Sequence, residues 1–232
     1  MTIQDMHYDF NKKLNKVNSN SFRNLTIPEI DWTLNEAQEL FIKLVANPKL
    51  RNGLGFETTQ RTIDDIRTLV KEDFQIKVTD NIAKLPIDYY IYVSSFCKMQ
   101  KGKCIANSRK TFIRRHNDDF ENSIFDKSSF EWRTVNAVFN NQGIKLFTED
   151  FTIEELCMTY ISKPNYIHNA QSFRGGKYQL PSGKILSGTQ DCELPESTHR
   201  EIVDIAVMIV SGELQLPDFT NKHNKVSINQ NI

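Results

Sequence analysis

This sequence of 232 residues has little of what defines several large classes of protein. It has four cysteines, spread widely over the chain, whereas a disulfide framework has a denser set in a smaller secreted domain. No apolar run reaches the roughly 18 residues that a membrane-spanning helix needs. The start, "MTIQDMHYDFNKK", lacks the basic and apolar regions of a secretory signal. We therefore expect synthesis in the cell interior and no membrane partner.

An excess of charge is also missing, because 29 basic residues balance 29 acidic ones. A neutral chain has no general attraction for nucleic acid, whose binders usually carry a basic excess. Neutral copies also do not repel one another, so self-assembly meets no electrostatic barrier.

Motifs that carry chemistry are absent as well. The sequence contains no phosphate-binding loop, dinucleotide fingerprint or nucleophile elbow. Cys97 and Cys104 are too far apart for a structural zinc pair, and the five histidines never fall at metal-binding spacing. His116 with Asp119, and "FRGGKY" at 173–178, are better explained as surface turns than as a metal or phosphate site. We predict no catalytic residue, no metal and no cofactor, with a dispersed active site as the alternative.

The N-terminal segment has a helical pattern. Met6, Phe10, Leu14 and Val17 lie on one helical face, and Thr2 followed by Asp5 predicts the cap.

A second helical pattern follows at once. Thr26 and Glu29 form a capping box, Pro28 suits the first turn, and Asn47-Pro48 ends the pattern. The apolar stripe between them consists of Ile30, Leu34, Ala37, Phe41, Leu44 and Val45. Residues 1–47 are therefore predicted to form a helical hairpin.

The central part, residues 74–192, has short runs rich in β-branched and aromatic residues, such as "FQIKVTD", "DYYIYVSSFCKM", "GIKLFTE" and "ELCMTYISK". "NNQG" at 140–143 is typical of a hairpin turn, whereas 119–140 is ambiguous and 171–188 reads as a loop. Cys97 and Cys157 fall in such strands and are expected to be buried, unreactive thiols.

A late helix is predicted over 194–213, capped by Ser197 and ended by Gly212, with a stripe of Ile202, Ile205, Ala206, Ile209 and Val210. The fold class is α+β: an N-terminal helical hairpin and a C-terminal helix packed with a mainly antiparallel β region. Residues 1–216 are expected to be one domain.

Charge is distributed unevenly along the chain although it sums to zero. A basic block at 98–116 contains Lys98, Lys101, Lys103, Arg109, Lys110, Arg114 and Arg115. An acidic block follows directly, at 118–131. The basic block could face DNA, or meet the acidic block of a neighbouring copy, or be a solvated surface.

The C-terminal tail, 217–232, carries too little apolar surface to fold alone. We expect it to lie on a partner, with Phe219, Val226 and Ile228 as apolar anchors.

Three segments together resemble a known family. They are "LNEAQ" at Leu34–Gln38, "LPIDY" at Leu85–Tyr89, and "ELPE" at Glu193–Glu196 with "HREIV" at His199–Val203. In this order and spacing they are similar to the tail adaptor, or head-to-tail connector, proteins of short-tailed phages, most closely those of crAss-like phages.

The resemblance implies a structural virion protein and no enzyme. It implies rings of about twelve copies below the portal, which join capsid to tail and retain and channel the packaged genome. Implied partners are the chain itself, the portal protein, further tail or ring proteins, and DNA in the lumen. Implied locations are the virion neck and, during assembly, the host cytoplasm. A nucleic-acid-binding accessory protein that uses the 98–116 block is the alternative.

Overall fold

The computed structural model describes residues 1–14, 25–46, 64–108, 110–114 and 127–213, with the backbone alone at 110 and 112–114. The described residues fall into two compact units, one drawn from 1–69 with 164–232 and the other from 70–163. Unit 1 holds the long helices and unit 2 holds a large, mainly antiparallel sheet, so the predicted α+β class is confirmed. Residues 164–192, grouped with the β-rich part on sequence, lie in unit 1.

The two N-terminal helices of unit 1 begin where their caps predict. Before α1 (Ile3–Leu14), the Thr2 amide donates to the Asp5 carboxylate at 2.9 Å, and the Asp5 amide donates back to the Thr2 hydroxyl at 3.3 Å. Before α2 (Ile27–Ala46), the Thr26 amide and hydroxyl donate to the Glu29 carboxylate at 2.6 and 2.8 Å. These bonds satisfy donors that a helix start would otherwise leave unpaired. Val17 and Asn47-Pro48 lie outside the described residues.

The third long helix, α3 (Glu196–Glu213), starts one residue before the predicted cap. Ser197 therefore lies inside the first turn, where the Thr198 amide and hydroxyl donate to the Pro195 carbonyl at 3.0 and 2.8 Å. The predicted stripe is buried at Ile202, Ile205, Ala206 and Val210. No helix among the described residues is long and apolar enough to cross a membrane.

The helices pack around α3, which contacts both α1 and α2. The seam is apolar, and Met6, Phe10, Leu34 and Phe41 are at most 3% exposed. At its edge, Lys13 of α1 forms an ion pair with Asp204 of α3 at 3.1 Å. The N-terminal helices thus share α3 as their common packing surface.

Unit 1 also contains short strands within 168–190. Strand β9 (His168–Asn169) pairs with β12 (Thr189–Gln190), and β10 (Lys177–Gln179) pairs with β11 (Ile185–Ser187). Between and before them lie 3-10 turns at Arg67–Leu69, Ala170–Ser172 and Arg174–Gly176. The loop predicted at 171–188 is therefore a hairpin, held by the buried pair Tyr178 and Leu186 packed on Ala170. Two buried residues in a polar stretch are too few to show the alternation of apolar and polar residues that predicts a strand.

Unit 2 is built on an eight-stranded sheet with the order β4-β3-β8-β1-β2-β7-β6-β5. Its strands are β1 (Val70–Thr79), β2 (Ile82–Ala83), β3 (Tyr89–Lys101), β4 (Cys104–Asn107), β5 (Lys110–Arg114), β6 (Thr134–Asn140), β7 (Gly143–Phe147) and β8 (Thr152–Ser162). All pairs are antiparallel except β5 with β6.

The sheet curls, so that β5 at one end approaches β3 near the other. There the Sγ atom of Cys97 lies 3.4 Å from the hydroxyl of Thr111. The enclosed face holds one continuous core, whose largest members include Met99, Leu156 and Tyr160. Curling lets a single sheet cover its own apolar face.

The turn between β6 and β7 confirms the predicted hairpin, since Asn140 pairs with Gly143 across two residues. Gly143 has a φ of 139°, and a Cβ there would lie 2.2 Å from the carbonyl oxygen of Ala83. Strand β2 can approach β7 only because this position has no side chain.

Replacing Gly143 with alanine should therefore destabilise the fold by roughly 3–4 kcal/mol, through backbone strain plus overpacking. Gly102 is a matched control, because its φ is 60° but a Cβ there meets nothing within 4 Å. Gly102→Ala should cost only about 1 kcal/mol. Urea denaturation of both variants measures the difference, and equal losses would contradict the close approach of β2.

Candidate functional site

A buried carboxylate joins distant segments of unit 1. Asp31 of α2 is 0% exposed. It lies 2.7 Å from Nε2 of His7 on α1, and it accepts hydrogen bonds from the Asn169 amide at 3.0 Å and from the Tyr178 hydroxyl at 2.7 Å. Burial, reinforced by this carboxylate, raises the pKa of the Tyr178 hydroxyl. A buried carboxylate this well partnered fixes the relative positions of α1, α2, β9 and β10.

Polar residues of the motifs that resemble the tail adaptor family also hold unit 1 together, as Asp31 does. The side chain of Asn35 donates to the carbonyl of Ile167 at 2.7 Å and accepts from the amide of the same residue at 2.8 Å. Glu193 accepts two bonds from Asn165, through its amide and its side chain. The ring of His199 is buried, with Nε2 2.8 Å from the Leu194 carbonyl oxygen. These side chains hold the segments that lead into β9 and α3.

Replacing Asp31 with alanine should destabilise the protein by roughly 3–5 kcal/mol, because it leaves buried donors unpaired. Tyr178→Phe removes one of those bonds and should cost about 1–2 kcal/mol. Tyr8→Phe is the matched control, since Tyr8 is 72% exposed. Chemical denaturation of the three variants measures the series. Similar stability for Asp31→Ala and Tyr8→Phe would refute the role of the carboxylate.

The surface of unit 1 has two adjoining depressions beside α2. One, which we call the apolar groove, has a volume of about 470 Å³ and is lined chiefly by Leu25, Pro28, Trp32, Leu180, Pro181 and Val210, with Glu29 and Glu213. The other, the acidic shelf, is lined by Trp32, Asn35, Glu36, Glu39 and Tyr166. The two meet at Trp32, which is 52% exposed.

Two lysines of the basic block form ion pairs in unit 2. Lys98 of β3 forms an ion pair with Glu155, opposite it on β8, and Lys101 pairs with Asp150. The hydrogen bond that Lys98 donates to Glu155 raises the pKa of Lys98, and the one that Lys101 donates to Asp150 lowers the pKa of Asp150.

These acids precede or belong to β8, not to the predicted block at 118–131. Lys103 is exposed in the turn between β3 and β4. Arg109, Arg115 and the side chains of Lys110 and Arg114 lie outside the described residues.

The "LPIDY" segment forms a firmly held turn before β3. The Tyr160 hydroxyl donates to the Asp88 carboxylate at 2.9 Å, the Lys163 amide donates to the Asp88 carbonyl at 2.7 Å, and the Tyr89 amide donates to the Pro86 carbonyl at 3.1 Å. Ile87, at the tip, is 107% exposed. Ile87 is therefore a candidate contact point rather than part of the core.

Further large apolar side chains of unit 2 face solvent. Ile105 on the edge strand β4 is 75% exposed and Trp132 is 77% exposed, while Phe74 and Val93 are about half exposed. Sequence reasoning missed these residues, because an exposed isoleucine and a buried one give the same pattern in a short strand. The proposed tail anchors Phe219, Val226 and Ile228 lie outside the described residues.

The cysteines show no sign of chemistry. Cys97 and Cys157 are buried, as predicted, and so is Cys192, whereas Cys104 is exposed. Burial raises the pKa of Cys97 and of Cys192 to about 11. Within the described residues, no group of three or more metal-ligating side chains is placed to hold an ion.

A thiol reagent at pH 8 should therefore label one cysteine quickly in the native protein, and all four in denaturant. The stabilising contribution of the Cys97 and Cys192 thiols is complete below their ordinary pKa of 9.0 and is lost as pH rises toward about 11. The reason is that the unfolded state ionises them first. Cys104→Ser should remove the fast reaction, and rapid labelling of further thiols would show that the others are accessible.

The described residues form two compact units, each with a buried core, and several large apolar side chains on their surfaces face solvent. The family model described as phage tail ring protein 3/4, of crAss-like phages, matches residues 1–216. The chain belongs to this family, as its motifs predicted, and is a structural component of a phage tail ring in the virion. This family is a structural one and lends no support to the enzyme alternative. No curated protein matches the chain significantly.

Proposed function

We propose that this protein is a head-to-tail connector that forms a ring below the portal, joins the capsid to the tail, and helps to retain and channel the packaged genome. Membership of the tail ring family supports a ring-forming role. The observation that carries the proposal is the set of exposed apolar side chains on well-bonded elements, above all Ile87 and Ile105. These side chains lie outside the core, so each copy can use them for contact without losing stability of its own fold.

The proposed partners are further copies of the chain, about twelve in a closed ring, together with the portal protein and other tail or ring proteins. Packaged DNA passes through the lumen. Assembly takes place in the host cytoplasm, and the finished ring lies in the neck of the virion. Phe219, Val226 and Ile228 of the tail are proposed to anchor it on a partner.

The ion pairs of Lys98 and Lys101 favour protein contact over DNA binding as the role of the basic block. Each lysine already faces an acid of its own chain, so its charge is largely cancelled at a distance. A DNA-binding role would require those lysines to contact phosphates, with a steep loss of affinity as salt increases.

We predict that Ile87→Asp lowers the mass of the assembly formed alone or with portal protein, and leaves the melting temperature of the subunit within about 2 °C of the parent. The reason is that an exposed charge is harmless in the free subunit but is desolvated at an interface. Mass photometry and thermal unfolding measure both effects. Lys84→Asp is the control, because it changes charge at an exposed position three residues away.

The outcome that contradicts the proposal is equally concrete. A parent protein that stays monomeric with portal protein, yet binds duplex DNA with a steep salt dependence, would support the accessory DNA-binding role instead.

A further inference from the structure

The apolar groove of unit 1 is suited to an extended peptide segment. Its walls come from the start of α2, the turn after β10 and the end of α3, and Trp32 forms its junction with the acidic shelf. A half-exposed tryptophan beside two prolines and two leucines is a large apolar area to leave in water. Such an area marks a docking surface.

The acidic shelf continues the groove along α2. Glu36 is exposed and Glu39 is half-buried, and both line the shelf together with Trp32. At a rise of about 1.5 Å per residue, Glu39 lies roughly 10 Å along the helix from Trp32. An occupant of both depressions therefore needs an apolar residue followed, about 10 Å away, by positive charge.

The C-terminal segment of this chain has that pattern. Between 214 and 232 it contains Phe219 and then Lys222 and Lys225, with Asp218 as its one acidic residue. In an extended chain, Phe219 and Lys222 are roughly 10 Å apart. The segment and the surface are therefore complementary in both spacing and charge.

We propose that the apolar groove and the acidic shelf bind the C-terminal segment of a neighbouring copy, with Phe219 on Trp32 and with Lys222 and Lys225 facing Glu36 and Glu39. This inference rests on the proposed function, because it names the contact that links copies in the ring. The segment of one copy and the groove of the next are different surfaces, so the contact is heterologous. Repeating it around the ring closes the ring.

The length of the segment allows it to reach another copy. Phe219 lies six residues beyond Glu213, so an extended chain carries it about 20 Å from the end of α3, far enough for a copy packed there. Pro217 cannot continue the helix that ends at Glu213, and it favours an extended residue before it. If the segment bound the groove of its own chain, neither the segment nor the groove would be free to bind the next copy. Exchange between copies uses the segment of one chain and the groove of the next.

Disulfide trapping in the full chain tests the proposal. Leu180→Cys, in the groove, is combined with Phe219→Cys in a Cys104→Ser background, which removes the exposed native thiol. After oxidation of the assembled protein, we expect a ladder of covalent multimers in a denaturing gel. The control pair combines Phe219→Cys with Tyr8→Cys, an exposed position of α1 outside the groove, and should give no ladder.

The outcomes separate this inference from the proposed function. A covalent monomer with an internal cross-link would show that the segment binds its own groove, which overturns the inference. Rings that form without a Leu180–Phe219 cross-link would also overturn it, yet would leave the connector role standing. Absence of any assembly, alone or with portal protein, would overturn both.

Charge exchange gives a second measurement that does not depend on cysteine. Glu36→Lys with Glu39→Lys should weaken ring formation between about 2-fold and 30-fold. Adding Lys222→Glu and Lys225→Glu to the same chain should restore it. Failure of the second pair to restore assembly would mean that these charges do not meet.

Discussion

The wholly buried carboxylate of Asp31 is the constraint on which unit 1 depends. A carboxylate without water must find donors within the protein, and here they come from segments 24, 138 and 147 residues away in sequence. No apolar contact could impose this demand, because a hydrophobic side chain tolerates many neighbours whereas a carboxylate requires donors at fixed distances. The network therefore selects one arrangement of α1, α2 and the strands after residue 164.

Unit 2 achieves a single structure by different means. Its core is apolar, Asp88 holds the turn before β3, and the Cys97 amide donates to the hydroxyl oxygen of the buried Ser108 at 2.7 Å. The curl of the sheet replaces a second layer. The packing between β2 and β7 leaves no room for a side chain at Gly143, since a single methyl group there would overlap the Ala83 carbonyl.

Local features of this fold could be predicted from sequence, whereas its long-range contacts could not. The cap at Thr2, the capping box at Thr26 and the hairpin at 140–143 rest on residues within a few positions of one another, and each is confirmed. The partners of Asp31, the strand order and the hairpin from 177 to 187 depend on contacts between distant residues. For the same reason, the sequence predicted only part of the charged surface. Lys98 and Lys101 belong to the basic block named from the sequence, but their partners Glu155 and Asp150 lie 57 and 49 positions away along the chain.

This internal pairing also determines what kind of recognition the protein can use. The chain has no net charge, and the ion pairs of Lys98 and Lys101 cancel much of the field of those two lysines beyond the screening length of about 8 Å. Partners must then be selected at contact distance, by shape and by apolar area. A ring imposes a further demand, since a small angular error at each contact accumulates around the circle and prevents closure. Ile87, which we propose as a contact residue, lies on a turn that three hydrogen bonds fix in place, as such a demand requires.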